Sequence, residues 1–347
     1  MNPIQRAIGK TGVVVIAEAG VNHNGDPALA RALADAAKAS GADCVKFQTF
    51  TAEGLVTAGT PKVPYQRRDD GESETHHAML EKLELSRAAH VELKAHCDAI
   101  GIEFCSTPYS VDDAKFLRDL GVRFMKTASA DIVDTALHEF LATTDLPVIV
   151  STGMSTLGEI EEVVEIYDRC DRRDGLVLLH CVCNYPAKVA NANLQALQTL
   201  AAAFGCTVGF SDHTSTATAS IAAVALGAEV IERHLTTDKG LPGPDHQASC
   251  DPREFRMLTD MIREAEAALG SPIKRVVDEE WDMRRISRKS LVAKVDIAAG
   301  TSPGVEAFTT KRPGTGIAPK HLRTLALRRA RRDIAAGTLL AWEMFGE

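Results

Sequence analysis

Basic, hydroxyl and imidazole side chains recur where short apolar runs of this sequence end. They comprise two lysines, four serines and three histidines: Lys46, Lys126, Ser106, Ser129, Ser151, Ser211, His180, His213 and His234. Ammonium and hydroxyl groups gathered in one place provide the charge-assisted hydrogen bonds that hold phosphate and carboxylate groups. The pattern therefore predicts a site for an anionic substrate, with histidines that can hold a metal ion.

The two lysines are the more specific signal. A lysine at the end of a buried strand cannot easily reach water, and a buried ammonium requires an anionic partner. Lys46 could instead form a structural ion pair with Glu18. Lys126 could pair with Asp131 in the same way, or form a Schiff base, because desolvation lowers the pKa of a lysine. Two lysines near several hydroxyls favour anion binding over these possibilities.

His213 and His234 end consecutive predicted strands, so we expect their imidazoles to point into the same mouth. Two such imidazoles can bind a divalent ion and leave positions open for substrate and water. A single histidine of this kind is more often a hydrogen-bonded structural residue. The pair at matching strand ends favours metal ligation.

Two aspartates and two further polar residues complete the candidate site. Asp131 follows the fourth apolar run, and Asp245 lies in a Pro- and Gly-rich turn after the eighth. Either carboxylate could move a proton or hold a substrate hydroxyl, although each could equally be a helix cap or turn residue. Asn24 lies in a polar loop able to hydrogen-bond a ligand, and Cys183 is expected near the site.

The apolar runs repeat eight times, and each precedes a helix-like stretch. They are Val13–Ile16, Cys44–Val45, Glu103–Cys105, Arg123–Met125, Val148–Val150, Leu176–Leu179, Val208–Phe210 and Val230–Ile231. This alternation predicts an α/β fold, the TIM (β/α)₈ barrel, whose active site lies at the carboxyl ends of its strands. The polar residues described above occupy those ends.

One connection is too long for an ordinary barrel loop. It runs from Thr49 to Leu85 and carries Pro61, Pro64 and the polar run Gln66–His77. Long insertions at the active face commonly serve binding. We expect this one to form a lid or a substrate wall.

The pattern changes after a predicted helix over Pro252–Leu269. The turn residues from Gly270 to Pro272 mark the boundary, so residues 1–270 are predicted to form the barrel and residues 271–286 a charged linker. Residues 287–347 are predicted to form a small β-type module of roughly 60 residues, which can bury little core alone. We expect this module to pack against another protein surface, and the partner subunit of a homodimer is the natural candidate.

Composition excludes several classes of protein. The chain has 347 residues, with 39 Lys and Arg against 47 Asp and Glu, a net charge of −8. This acidic balance argues against nucleic acid or an anionic membrane surface as a partner. Its eight cysteines contain no C-x-x-C pair, and neither a signal peptide nor a membrane span is evident. We therefore expect a soluble, cytoplasmic protein with reduced thiols.

Several separated motifs resemble the bacterial sialic acid synthases. They are Ile16–Gly25, Val45–Thr49, Ser151–Met154, Phe210–Thr214, Glu232–His234 and Pro242–His246, and they occur in the family's order. The tail around Thr310–Gly316 resembles that family's C-terminal antifreeze-like (SAF) domain. The likeness covers nearly the whole chain.

The resemblance implies an N-acetylneuraminate synthase. Such an enzyme condenses phosphoenolpyruvate with N-acetylmannosamine or a related amino sugar, giving a nine-carbon 2-keto acid and phosphate. It also implies Mn²⁺ or Mg²⁺ as cofactor and a domain-swapped homodimer. The residues expected to hold phosphoenolpyruvate are Lys46, Lys126, Ser129, Ser151, Ser211 and His213. His213 and His234 would bind the metal, Tyr185 and Asp245 would contact the sugar, and Arg312 of a partner's SAF domain would reach the acetamido group.

Three positions depart from the family. Asp131 stands where some members have glutamate, so its carboxylate is one methylene shorter at a position whose expected role is to position or deprotonate water. Asn24 and Cys183 stand where a well-known member has glutamate and asparagine. The acceptor could therefore be a 2,4-diacetamido-2,4,6-trideoxyhexose, which would make the product N,N'-diacetyllegionaminate or pseudaminate. Two competing hypotheses are a Schiff-base aldolase and a carbohydrate- or ice-binding protein with a relic barrel.

Overall fold

A computed structural model of the protein describes residues 1–62, 66 and 75–346. The chain divides into two compact units, Met1–Gly270 and Ser271–Glu347. The residues predicted as a linker, 271–286, belong to the second unit, where a short helix spans Glu280–Ser287.

Eight parallel strands form the sheet of the first unit. They are β1 (Val14–Gly20), β2 (Cys44–Thr49), β3 (Glu103–Pro108), β4 (Met125–Thr127), β5 (Val148–Ser151), β6 (Leu176–Cys181), β7 (Thr207–Asp212) and β8 (Val230–His234). Their hydrogen-bonded order is β3-β2-β1-β8-β7-β6-β5-β4, and β3 and β4 lie side by side to close the ring. The predicted (β/α)₈ barrel is confirmed. Most strands extend further than predicted, because they include the polar residues at their carboxyl ends.

Most of the helices pack around the outside of this ring. Those of the first unit are α1 (Pro3–Ile8), α2 (Pro27–Ala39), α3 (Ala52–Leu55), α4 (His76–Glu81), α5 (Arg87–Ile100), α6 (Val111–Leu120), α7 (Thr135–Ala142), α8 (Leu157–Arg169), α9 (Ala196–Phe204), α10 (Thr218–Ala225) and α11 (Pro252–Leu269). A 3₁₀ turn, Ser129–Val133, follows β4.

Strand alternation divides the apolar residues between two cores. In β1, Val14 and Ile16 point into the barrel, whereas Val15 and Ala17 face the surrounding helices. Helix α1 was not predicted, and its fully buried Ile4 joins the interior core. Asn2 begins this helix through a capping box with Gln5. Apolar packing thus fills the barrel below the strand ends and leaves those ends for polar residues.

The long connection between β2 and α5 is partly described. It contributes α3 and α4, whose apolar residues form a separate cluster with Val21, Phe50 and Tyr109. Pro64 and most of the predicted polar run lie outside the described residues, which omit 63–65 and 67–74.

The second unit has a core of its own. Strands β9 (Ser290–Ala293) and β10 (Phe308–Lys311) form an antiparallel pair. The unit also contains the short helices α12 (Glu280–Ser287) and α13 (Leu322–Ala326). The core includes Leu291, Phe308, Leu325, Leu340 and Phe345. No helix within the described residues is long and apolar enough to cross a membrane.

Candidate active site

A cavity of about 760 Å³ opens at the carboxyl ends of the barrel strands. Most predicted site residues line it: Lys46, Lys126, Ser129, Asp131, Ser151, Cys183, Tyr185, Ser211, His213, His234 and Asp245. Strands far apart in sequence supply these side chains because every parallel strand of the barrel ends at the same face.

Lys46 lies almost fully buried between a carboxylate and a hydroxyl. Its Nζ is 2.7 Å from Glu18 Oε2 and donates a hydrogen bond of 3.1 Å to Thr107 Oγ1. Burial lowers the pKa of Lys46, but the nearby carboxylates of Glu18 and Glu232 outweigh it and raise the pKa above its usual value. The side chain therefore presents a permanent positive charge to the cavity.

The carboxylate of Glu232 lies between the two lysines. Its Oε1 is 3.6 Å from Lys126 Nζ, its Oε2 is 3.9 Å from Lys46 Nζ, and Ser211 Oγ donates to Oε1 at 3.2 Å. Lys126 thus pairs with Glu232 rather than with Asp131. Burial alone would raise the pKa of Glu232, but the charges of the two lysines outweigh burial and lower the pKa to about 2. Both lysine contacts exceed hydrogen-bond length, so the ammonium groups retain donors for an incoming anion.

Strand alternation explains the motifs that end β7 and β8. Ser211 pairs in register with Glu232, and both face the cavity together with the next inward residues, His213 and His234. Asp212 and Arg233 pair in register and face the other way. Arg233 Nη1 donates to Asp212 Oδ2 at 2.9 Å, and Ser220 of α10 donates to the same oxygen at 2.6 Å. The buried outer ion pair thus holds the two inward faces in register.

The imidazoles of His213 and His234 are 5.4 Å apart between ring centroids, and the Tyr185 ring lies against both. His213 Nδ1 is 3.0 Å from the Val182 carbonyl oxygen. Because a carbonyl only accepts, Nδ1 carries the proton and Nε2 keeps its lone pair. Burial lowers the pKa of both histidines, so both are neutral.

This pair fits a divalent metal ion. His234 Nδ1 is buried without a hydrogen-bond partner, which is the state expected of an imidazole nitrogen that awaits a ligand. The described residues form no cluster of three or more His, Cys, Asp or Glu side chains suited to a metal. A metal held here would therefore have two imidazole ligands, with the remaining positions open to water and substrate.

Two carboxyl groups, those of the half-buried Asp131 and the buried Asp245, face the cavity with raised pKa values. Burial raises the pKa of Asp131 to about 6, and the nearby charge of Asp134 adds to this while Lys126 opposes it. Burial and the charge of Glu18 raise the pKa of Asp245 to about 7. Asp131 Oδ2 and Asp245 Oδ1 lack hydrogen-bond partners. Both groups are thus poised to exchange a proton near neutral pH.

Ser129 and Cys183 meet beside Gly153. The Gly153 amide donates to Ser129 Oγ at 3.0 Å. A side chain at position 153 would overlap Cys183 Sγ and come within 2.8 Å of Ser129 Oγ. Glycine at this position is therefore what allows the loop after β5 to approach these two side chains.

The two remaining predicted site residues are Asn24, in the loop after β1, and Arg312, in the second unit. Asn24 does not line the cavity, because its Nδ2 donates at 2.9 Å to the carbonyl oxygen of Pro242 and so braces the turn that carries Asp245. Arg312 is exposed and follows β10 in the second unit. Its predicted contact with a sugar remains a prediction.

Several lining residues were not assigned a role from the sequence. Glu232 and Thr107 contact the lysines and lie on inward-facing positions near the carboxyl ends of their strands, which is the signal that could have found them. Glu18 was named only as a possible structural partner of Lys46, and the structure shows that ion pair. Six apolar residues that line the cavity come from the loop after β1 and from the long connection: Val21, Leu55, Val56, Met79, Leu80 and Leu83. Their position depends on tertiary folding of the connection, which periodicity does not reveal.

The fold and the site together define a class of protein, a barrel enzyme that binds an anionic substrate at its strand ends. Comparison with protein-family models identifies the NeuB family over residues 33–274 and a SAF domain over residues 288–346. The chain belongs to the NeuB family, as the sequence predicted, and is a nonulosonic acid synthase, an enzyme of the transferase class.

Relatives span nearly the full length of the chain. It is 45% identical over 332 residues to the N,N'-diacetyllegionaminic acid synthase of Legionella pneumophila, covering 95% of this chain and 93% of the relative. It is 44% identical to the Campylobacter jejuni enzyme of the same name, covering 88% and 91%. The crystal structure of an N-acetylneuraminic acid synthetase from Leptospira borgpetersenii, in complex with citrate, aligns with a TM-score of 0.69 at 32% identity, covering 79% and 90%.

Proposed function

We propose that the protein is an N,N'-diacetyllegionaminic acid synthase that condenses phosphoenolpyruvate with 2,4-diacetamido-2,4,6-trideoxymannose. The 45% identity to the Legionella pneumophila enzyme carries this choice of acceptor. It favours the diacetamido acceptor over N-acetylmannosamine, which the sequence motifs had suggested first.

The two faces of the cavity support this acceptor. One face carries the lysines, serines and histidines, and the other is the apolar wall formed by Val21, Leu55, Val56, Met79, Leu80 and Leu83. The proposed acceptor has a methyl group at C6 and two acetamido methyl groups, whereas N-acetylmannosamine has hydroxyls at C4 and C6. Burying a hydroxyl against an apolar wall without a hydrogen bond costs free energy. The wall therefore suits the acceptor with more methyl groups.

We assign phosphoenolpyruvate to the polar face. Lys46 and Lys126 would neutralise its phosphate and carboxylate, and Ser129, Ser151 and Ser211 would donate hydrogen bonds to the same groups. The two ammonium groups are held in place before the substrate arrives, so they stabilise the charge that develops in the reaction with little reorganisation. The Ser211 hydroxyl, which donates to Glu232 Oε1, would turn to the substrate. Glu18 and Glu232 would hold the two ammonium groups in place between turnovers.

His213 and His234 would hold the divalent metal, Mn²⁺ or Mg²⁺. When bound, this ion would polarise the acceptor's aldehyde as a Lewis acid. Asp131, ionised above a pH of about 6, would accept a proton from the water that adds at C2. Asp245 would accept a hydrogen bond from an acceptor hydroxyl. Phosphate then leaves by cleavage of its bond to C2.

The remaining expectations about assembly stand as proposals. We propose a homodimer in which the SAF domain of one subunit completes the cavity of the other through Arg312. We also propose that the protein works in the cytoplasm. A Schiff base on Lys126 is disfavoured, because its ammonium lies at ion-pair distance from Glu232 and an ammonium is not a nucleophile.

The proposal is tested by comparing acceptors in a phosphate-release assay with Mn²⁺ and phosphoenolpyruvate. We expect kcat/KM for the diacetamido sugar to exceed that for N-acetylmannosamine by roughly 10- to 200-fold, the range that apolar pockets achieve. Met79→Gln keeps the length of the side chain and should reduce this preference, whereas Met257→Gln, on the exposed face of α11, should leave it unchanged. Faster turnover of N-acetylmannosamine by the wild-type enzyme would contradict the proposal.

A further inference from the structure

Two cysteine thiols face each other in the wall of the candidate active site. Cys181 ends β6 and Cys183 follows it by two residues, so the alternation of the strand places both side chains on the cavity side. Their sulfur atoms are 3.8 Å apart. Cys183 is half-buried and open to the cavity, whereas Cys181 is buried behind it.

The surroundings of Cys183 suit a reactive thiol. The Cys181 thiol and the Ser129 hydroxyl hydrogen-bond to its sulfur, and the ammonium of Lys126 lies close by. These contacts lower the pKa of Cys183 to about 6, with Cys181 the largest cause and burial opposing it. A thiolate near a lysine in a partly exposed cavity is the form of cysteine that reacts with oxidants and electrophiles.

The other cysteines lack this combination. Cys44 and Cys105 lie close together but are fully buried inside the barrel, where no oxidant reaches them. Cys170 is exposed, on the helical side of the barrel after α8. Among the described cysteines, Cys181 and Cys183 are the pair that lines the cavity with sulfur atoms within 4 Å of each other, and Cys183 is the more exposed of the two.

We propose that Cys181 and Cys183 form a peroxide-reactive dithiol, and that its oxidation to a disulfide reversibly inactivates the enzyme. In the first step the Cys183 sulfur attacks a peroxide oxygen. An S–O bond forms, the O–O bond breaks, and hydroxide leaves and takes up a proton to become water, which gives a sulfenic acid. In the second step the Cys181 sulfur attacks the Cys183 sulfur. The S–S bond forms, the S–O bond breaks, and the leaving hydroxide takes the proton of Cys181 as a second water.

Forming the disulfide shortens the sulfur separation from 3.8 Å to about 2.05 Å, which draws Cys183 away from Ser129 and the cavity. Ser129 also accepts the hydrogen bond from the Gly153 amide, so the loop after β5 is expected to shift with it. Displacements of about 1 Å in an active site can lower activity 10²-fold. We expect oxidation to reduce kcat/KM by roughly tenfold or more.

The test uses the full-length protein treated with a small excess of hydrogen peroxide and then analysed by intact and peptide mass spectrometry. In the wild-type protein we expect the loss of two hydrogen atoms on the peptide that contains both cysteines, a matching loss of phosphate-release activity, and recovery of both with dithiothreitol. Cys170→Ser, which removes the most exposed competing thiol, should behave as wild type. The mass measurement needs no substrate, so it is independent of the proposed acceptor.

Two single variants separate the steps. Cys181→Ser should stop at the sulfenic acid, which dimedone traps on Cys183. Cys183→Ser should show no dimedone adduct at position 183, and the activity of this variant should be the same before and after treatment with peroxide. Oxidation confined to Cys170, or an equal fractional loss of activity in Cys183→Ser and wild type, would overturn the proposal. If a variant fails to fold, the rates at which iodoacetamide alkylates Cys183 and Cys170 in the wild-type protein test the proposal instead. Faster alkylation of Cys183 would support Cys183 as the reactive thiol, and slower alkylation would contradict the proposal.

Discussion

Replacing Glu232 by Gln removes the carboxylate shared by the two buried lysines while keeping the size of the side chain. Lys46 retains Glu18 at 2.7 Å, but Lys126 loses the only carboxylate that the described residues place at ion-pair distance from it. Removing one partner of a buried ion pair costs about 3–5 kcal/mol. Because Lys46 keeps its closer partner, we expect the lower end of that range.

A loss of about 3 kcal/mol should lower the melting temperature of the barrel by roughly 6–12 °C, at about 2–4 °C per kcal/mol for a unit of this size. An anion in the cavity should restore part of the loss, because it supplies the missing negative charge. At about 100 times its Kd, a ligand adds about 2.7 kcal/mol of stability. Inorganic phosphate should therefore raise the melting temperature of Glu232→Gln more than that of wild type.

Differential scanning calorimetry of protein freed of metal by a chelator, with and without phosphate, checks this prediction. Glu264→Gln, an exposed residue of α11, makes the same change of charge away from the cavity and should melt as wild type does. An unchanged melting temperature for Glu232→Gln, or a phosphate effect equal to that on wild type, would refute the view that the two lysines form a buried anion site.

Three further predictions concern individual residues. Asp131 has a raised pKa of about 6 and must be ionised to accept a proton, so kcat/KM should fall as the pH falls through about 6. In Asp131→Asn this acidic limb of the pH–rate profile should disappear, whereas any limb caused by ionisation of phosphoenolpyruvate should remain. His234→Ala should weaken Mn²⁺ binding, measured by equilibrium dialysis. The loss should exceed the roughly 10- to 100-fold that follows when a residue supporting a metal ligand is removed, because His234 is itself a proposed ligand. His76→Ala, a change in the cavity wall, should bind Mn²⁺ as wild type does. Arg312→Ala should raise KM for the acceptor by roughly tenfold or more, since a hydrogen bond to a charged group contributes about 1.5–3 kcal/mol, and leave KM for phosphoenolpyruvate nearly unchanged. Unchanged acceptor kinetics would contradict the role given to Arg312.

The sequence predicts the barrel and much of its cavity because both depend on local periodicity. A lysine that directly follows a buried apolar run, as Lys46 and Lys126 do, must lie near the carboxyl end of a strand, and all such ends meet at one face. The same reasoning brings His213 and His234 together from the sequence alone.

Pairings between distant strands are less accessible from the sequence. Whether Lys126 on β4 meets Asp131 or Glu232 on β8 depends on how side chains reach across the barrel. Asp131, the possible partner that is nearer in sequence, is not the carboxylate at ion-pair distance in the structure. Asn24 was predicted to face the substrate because its loop follows β1, but its backbone has a positive φ of 50° and its amide turns to Pro242. Such contacts depend on the folding of two loops against each other, and no periodic pattern encodes them.

Turnover of phosphoenolpyruvate labelled with ¹⁸O at the oxygen between C2 and phosphorus would decide whether this cavity joins phosphoenolpyruvate to a diacetamido sugar. With Mn²⁺ and 2,4-diacetamido-2,4,6-trideoxymannose, we expect a nine-carbon 2-keto acid with the mass of N,N'-diacetyllegionaminate and the label in the released phosphate. A label retained in the sugar acid, or no product above that of His234→Ala, would show that the proposed reaction is wrong.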